Sequence, residues 1–150
     1  MELILWRHAE AEDGAPDDAR RLTPRGFDQA ERMAAWLAKR LPASYRLLVS
    51  PARRTQQTAA ALHKKFQTVD ALAPGGSIGA VLKAANWPAS NDTVIVVGHQ
   101  PTLGAVAARL LGGDEASWSV RKGAVWWLAD RDRGGSTSVV LRASISPDLL

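Results

Sequence analysis

The stretch Thr93-Val94-Ile95-Val96-Val97-Gly98-His99-Gln100-Pro101 decides the fold. Val94 to Val97 is β-branched throughout and lacks the polar alternation of a half-exposed strand, so it reads as a strand buried on both faces. Gly98-His99-Gln100-Pro101 then leads into a helix that runs through Leu111 and is stopped by Gly112-Gly113. A doubly buried strand feeding directly into a helix is the unit of a mainly parallel sheet with helices on both faces.

The same unit recurs toward the N-terminus. Glu2 to Trp6 reads as a strand ending at Arg7-His8, and the polar stretch Ala9 to Leu22 as a loop. Thr23-Pro24 opens a helix, with threonine as N-cap and proline at the first helical position. Phe27, Ala30, Ala34, Leu37 and Leu41 form its expected apolar face. Arg46 to Val49 is a second strand, Ser50-Pro51 a second cap-plus-proline start, and Ala52 to Phe66 a second helix. A short strand at Gln67 to Val69 and a helix at Ile78 to Ala85, ended by Trp87-Pro88, precede the central stretch. Ala124 to Ala129 and Ser138 to Ile145 read as an antiparallel hairpin joined by a polar turn, Asp130 to Thr137. The expectation is therefore α/β: one domain over residues 1–150, an α/β/α sandwich with a mainly parallel central sheet and an antiparallel C-terminal hairpin.

Composition narrows the chemistry. Hydrophobic residues make up 46% of the 150 and charged residues 23%, a globular balance far from that of disordered chains. With no cysteine, disulfides and thiolate nucleophiles are excluded, and three histidines remain for chemistry near neutral pH. The net charge of +4 and a pI near 10 invite the thought of nucleic acid. Against it, the basic residues are scattered pairs such as Arg20-Arg21, Arg53-Arg54 and Lys64-Lys65, without interleaved aromatic platforms. An anionic substrate or an acidic protein partner accounts for the charge as well. Only five residues separate Met1 from Arg7, with no basic n-region or long apolar h-region, and no apolar run approaches the ~18–20 residues that span a bilayer. A cytoplasmic protein with no membrane or nucleic-acid partner is expected.

In open α/β sheets, ligands bind beyond the carboxyl ends of the strands. Arg7-His8, Ser50 to Thr58 and Gly98-His99 each follow a predicted strand and so fall on one rim. Together they offer two imidazoles, a hydroxyl and at least two guanidiniums, an inventory that suits a phosphoryl group. Guanidiniums grip phosphate oxygens through paired donors and keep their charge, and a helix start at Ser50-Pro51 adds backbone N–H groups. A neutral imidazole can attack phosphorus, and nearby arginines keep it unprotonated. One histidine is then nucleophile and the other donor. His63, midway along a helix, is left out of this set.

The motifs Leu5-Trp6-Arg7-His8-Ala9, Leu22-Thr23-Pro24-Arg25-Gly26, Ser50-Pro51-Ala52-Arg53-Arg54-Thr55-Gln56-Gln57-Thr58-Ala59 and Gly98-His99-Gln100-Pro101 together resemble the histidine phosphatase superfamily, most closely its small phosphohistidine phosphatase (SixA-type) branch. The resemblance covers nearly the whole chain in order. It implies that His8 is the phosphate-accepting nucleophile, that Arg7 and Arg54 are phosphate clamps, and that His99 is the second histidine of the pocket. The spacing of the long motif selects Arg54 over Arg53. Arg21, just before Leu-Thr-x-x-Gly, matches an arginine often found near the site, and Ser50 is a further substrate-binding candidate. Ala9 stands where the wider superfamily has glycine, and its small side chain marks the branch. In relatives that cleave phosphomonoesters, a Glu or Asp shortly after the second helix protonates the leaving oxygen. The comparable stretch here is Leu72-Ala73-Pro74, with Asp70 just upstream.

Three functions fit these residues: a phosphatase acting on phosphohistidine in proteins, a phosphomonoesterase acting on a small phosphorylated metabolite, and a non-catalytic phosphate-binding module. Mutase activity is disfavoured, because the chain lacks the insertions that cover the substrate in larger relatives. No cofactor or metal is expected, since the strand ends carry arginines and histidines in place of the carboxylate cluster that hard divalent cations prefer. EDTA should accordingly leave turnover unchanged; a loss restored by magnesium or manganese would refute the expectation.

Overall fold

Val94–Val97 lies in the middle of a sheet, fully buried, with a strand on either side. The protein is described here by a computed structural model, covering residues 1–133 and 136–150. Its strands are β1 (Glu2–Arg7), β2 (Arg46–Val49), β3 (Gln67–Thr68), β4 (Thr93–Gly98), β5 (Val125–Arg133) and β6 (Ser136–Ile145). Its α-helices are α1 (Pro24–Ala38), α2 (Arg53–Ala60), α3 (Ile78–Ala85) and α4 (Thr102–Gly112). The sheet order is β3-β2-β4-β1-β5-β6, parallel from β3 to β1 and antiparallel through β5 and β6. The two-residue β3 forms one edge and the ten-residue β6 the other.

Alternation along the strands divides the core in two. Leu3, Leu5, Leu48, Val94 and Val96 pack with Val81 and Ala85 of α3 and Leu103, Val106 and Ala107 of α4. Ile4, Trp6, Leu47, Val49, Ile95 and Val97 pack on the other face with Met33, Ala34 and Leu37 of α1 and Ala59 of α2. Burial on both faces explains why β1 and β4 read as unbroken apolar runs. Thr23 caps α1 as expected, its hydroxyl oxygen accepting from Gly26 N–H at 2.9 Å. At the end of α4, Gly113 takes the left-handed conformation, φ 84°.

Several expectations are corrected. Phe27 is 42% exposed and Leu41 lies beyond the end of α1, while Met33 is fully buried. The inward face is Ala30, Met33, Ala34 and Leu37, because packing against Trp6 and Val49 rotates the helix away from the phenylalanine. The Ser50-Pro51 pair does not start α2: Ala52 occupies the cap position without a side-chain bond, and the Ser50 hydroxyl is engaged by His99. The same helix ends at Ala60 and not at Phe66. Past it, the His63 ring captures the Lys65 N–H at 2.9 Å, a local bond that competes with helix continuation. The C-terminal hairpin pairs much further than expected, up to Arg133↔Ser136. Most of the expected turn is thus strand, and residues 134–135 lie outside the described residues. The cross-strand ladder continues through polar residues because this arm extends past Glu2↔Ala129, where pairing with β1 ends.

Among the described residues no helix is long and apolar enough to cross a membrane.

Two glycines test the packing in opposite directions. A methyl group on Gly26 would overlap the Glu10 carbonyl oxygen, whereas one on Gly79 in α3 would meet nothing closer than 3.9 Å. Gly26→Ala should cost about 1–3 kcal/mol in urea unfolding by forcing the loop off α1. Gly79→Ala should stabilise by about 0.5–1 kcal/mol, as removal of a helix-interior glycine does.

Candidate active site

The parallel register sets the site. Arg7 pairs with Gly98 and Val49 with Val97, so His8, His99 and Ser50 are each the first residue past adjoining strand positions. The His8 N–H donates to the Gly98 carbonyl and the Ser50 N–H to the Val97 carbonyl, both at 3.1 Å, which extends the ladder into the site. The two imidazoles consequently lie with centroids 5.4 Å apart. Arg54 enters from the first turn of α2, and His8, Ser50, Arg54 and His99 are all buried.

Hydrogen bonds fix the protons. His8 Nδ1 is 2.7 Å from the Ala9 carbonyl oxygen, which can only accept, so Nδ1 carries the hydrogen and Nε2 keeps its lone pair. Ala9 itself is held by donation of its N–H to the Thr58 hydroxyl at 3.0 Å. His99 Nδ1 faces Arg54 Nη2 at 3.4 Å, and a guanidinium only donates. The His99 hydrogen therefore sits on Nε2, donating to Ser50 Oγ at 2.7 Å. Ser50 Oγ also accepts the Ala52 N–H at 3.3 Å, which leaves its own hydrogen to donate.

Burial is the largest influence on both rings. It pushes His8 down to about 4, with the charges of Arg54, Arg7 and Arg20 adding to the effect against the opposing bond to Ala9. His99 is pushed down to about 3 by burial, then by Arg54, with Asp17 opposing. Both imidazoles are neutral at pH 7. The Nε atoms of Arg7 and Arg54 are buried without a partner, two donors held ready in a site that a phosphoryl group would satisfy. Arg7 is anchored through Nη1 to the Val120 carbonyl at 2.9 Å.

Residues not assigned from the sequence complete the arrangement. Asp17, in a 3-10 turn of the loop between β1 and α1, accepts from Arg54 twice, at its carbonyl oxygen (2.9 Å) and at Oδ2 (3.0 Å). The bond from Arg54 holds the Asp17 carboxyl below the usual carboxylate range. Arg21 turns outward, exposed, onto Glu12 Oε2 at 3.1 Å. Its neighbour Arg20 is the arginine whose charge is felt at His8, held by Asp17 Oδ1 and the Glu12 carbonyl. Gln57 and Thr58 of the long motif fasten the loop to α2, through Leu22 N–H and Ala9 N–H. The sequence marked Asp17 only as one of two adjacent aspartates in a polar loop. Beside His99, the segment after β3 contributes Ala71, Leu72 and Ala73, with no proton donor among their side chains. Among the described residues no group of three His, Asp or Glu could hold a metal ion.

Neutral buried histidines make stability depend on pH. Above about 6.5 neither ring is charged, folded or unfolded. Below it the unfolded chain takes up protons that the folded chain refuses, so stability falls with pH until about 4 for His8 and about 3 for His99. Urea unfolding between pH 7 and 4 should show this slope, and His8→Asn with His99→Asn should flatten it.

Residues 3–73 match the model of the histidine phosphatase superfamily (branch 1). The chain is 32% identical over 124 residues to the phosphohistidine phosphatase SixA of Escherichia coli K12, covering 76% of each protein. Its fold matches a structure of the protein histidine phosphatase SixA complexed with tungstate, with a TM-score of 0.83 at 27% identity over 99% of both chains. A second match is the putative phosphohistidine phosphatase SixA from Nakamurella multipartitia, with a TM-score of 0.78 at 30% identity over 97% of this chain and 95% of that one. With the motifs, the fold and the relatives in agreement, the chain belongs to the histidine phosphatase superfamily, in its SixA-type branch.

Proposed function

We propose that this phosphatase removes phosphate from phosphohistidine in proteins, through a phosphorylated His8. The observation that carries the reading is the state of His8: a neutral imidazole, its Nδ1 committed to the Ala9 carbonyl, beside two guanidiniums whose buried Nε donors have no partner. Similarity to SixA proteins supports the same substrate class.

In the first step His8 Nε2 attacks phosphorus as the bond from phosphorus to the substrate nitrogen breaks. Arg7 and Arg54 hold the peripheral oxygens and stabilise the charge spread over them. The substrate imidazole leaves neutral when its other nitrogen carries a proton, so the departure needs no acid from the enzyme. Water then attacks phospho-His8, releasing phosphate and restoring the imidazole. Ser50 and Arg54 engage both nitrogens of His99, which holds its neutral ring beside His8 in place of the donor role expected for the second histidine. Arg20, in place of Arg21, adds positive charge near His8. Asp17 keeps Arg54 in place and remains ionised, which makes it a poor proton donor to a leaving alkoxide. The reaction takes place in the cytoplasm and uses no metal.

His8→Ala should abolish both turnover and transfer of labelled phosphate to the protein, and Arg54→Ala should lower kcat by roughly 100-fold or more. Wild-type turnover in His8→Ala would overturn the nucleophile assignment. Rates should fall steeply as the leaving-group pKa rises, so that phosphohistidine and aryl phosphates react and alkyl phosphates barely do. A flat dependence with a large loss in Asp70→Asn would transfer the reading to a metabolite phosphatase.

A further inference from the structure

A second basic cleft shares Arg7 with the phosphate pocket. It has a volume of about 290 Å³ and is lined chiefly by Arg7, Arg25, Arg121, Lys122, Glu10 and Asp148, without His8, Arg54 or His99. Four cations against two carboxylates leave it with a net charge of +2. Glu10 is engaged by the Thr23 hydroxyl at 2.9 Å, and Asp148 faces Arg121 at 3.6 Å. Arg25 and Lys122 have no ion-pair partner among the described residues.

The cleft is fixed relative to the pocket. The Arg7 N–H donates to the Ala124 carbonyl, Arg7 Nη1 to the Val120 carbonyl and the Gly123 N–H to the His8 carbonyl. The turn bearing Arg121 and Lys122 is thereby bound to the same two residues that form the phosphate pocket. Arg25, which lines the same cleft, precedes the buried Gly26, which packs directly on the Glu10 backbone. A substrate whose phosphoryl group lies against Arg7 would therefore carry its neighbouring groups past two unpaired cations.

We propose that this cleft is a subsite for a carboxylate carried by the same substrate, an Asp or Glu side chain flanking the phosphohistidine of a protein. The proposal rests on the phosphohistidine reading for the identity of the phosphorylated group. A protein segment is favoured over a small metabolite because the cleft adjoins the pocket at Arg7 and then runs on to the first turn of α1 and the C-terminal Pro147-Asp148 segment.

The test uses two peptides bearing a non-hydrolysable phosphoryl-triazole mimic of phosphohistidine, one flanked by Asp and Glu, the other by Asn and Gln. At low salt the acidic peptide should bind wild type about tenfold more tightly, and the preference should shrink as salt screens it. Arg25→Gln combined with Lys122→Gln should abolish the preference while leaving neutral-peptide affinity and hydrolysis of 4-nitrophenyl phosphate unchanged. No preference in wild type, or its survival in the double variant, overturns the proposal. So does a parallel fall in 4-nitrophenyl phosphate hydrolysis, since the cations would then act on the phosphate itself. A gain for 4-carboxyphenyl phosphate over 4-nitrophenyl phosphate without peptide preference would assign the cleft to a small carboxylate and also overturn it. Turnover of genuine phosphohistidine peptides is measured separately. Its absence would defeat the functional reading while peptide preference still decides the cleft.

Discussion

The parallel register of β2, β4 and β1 is the constraint on which the rest of this molecule depends. Because Val49, Val97 and Trp6 lie level across three adjoining strands, the chain leaves the sheet at three neighbouring points. Residues separated by 91 positions, His8 and His99, become neighbours without a dedicated contact to bring them together. A slip of one residue in either strand would turn a whole apolar set to the wrong face, so the two-sided core that stabilises the sheet also protects the spacing of the site. The spacing of the two histidines is in this sense a by-product of core packing.

The pocket concentrates positive charge where water is scarce. Two guanidiniums and two imidazoles share it, and burial resolves the conflict by leaving the imidazoles uncharged. Asp17 offsets part of the arginine charge from the rim, engaging the two terminal nitrogens of Arg54 while its Nε remains without a partner. Under the proposed reading, a phosphoryl dianion would supply the missing acceptors. Fixed donors of this kind need not reorganise when charge shifts during reaction.

Much of this was legible in the sequence, and the limits follow a physical line. The β-branched run at Val94–Val97, the Thr23-Pro24 helix start, the placement of His8 and His99 at strand ends and that of Arg54 in the helix after β2 are local signals or follow from topology. What escaped depends on partners distant in sequence. Ser50 looked like a helix cap, yet its hydroxyl belongs to His99, 49 residues away. The choice between Arg20 and Arg21 turns on how the loop folds against Asp17 and Glu12, and adjacent arginines give no hint of it. Phe27 satisfied the helical period but lost its place to Met33, because period alone does not say where the neighbouring sheet lies.

The two edges of the sheet differ in a way that matters outside catalysis. At one edge β3 offers only two residues, too few to template another strand, whereas β6 presents ten at the other. Any intermolecular strand addition must therefore begin on β6. Its defences are a bulge in β6 itself, where Arg142 is left unpaired between Trp127↔Ala143 and Leu128↔Leu141, and the Arg142 side chain, which crosses to Glu2 and stacks over Trp127. Arg142 thus guards solubility as well as local packing, and its loss would leave an edge that already exposes Leu141 without a nearby charge against self-association at high concentration.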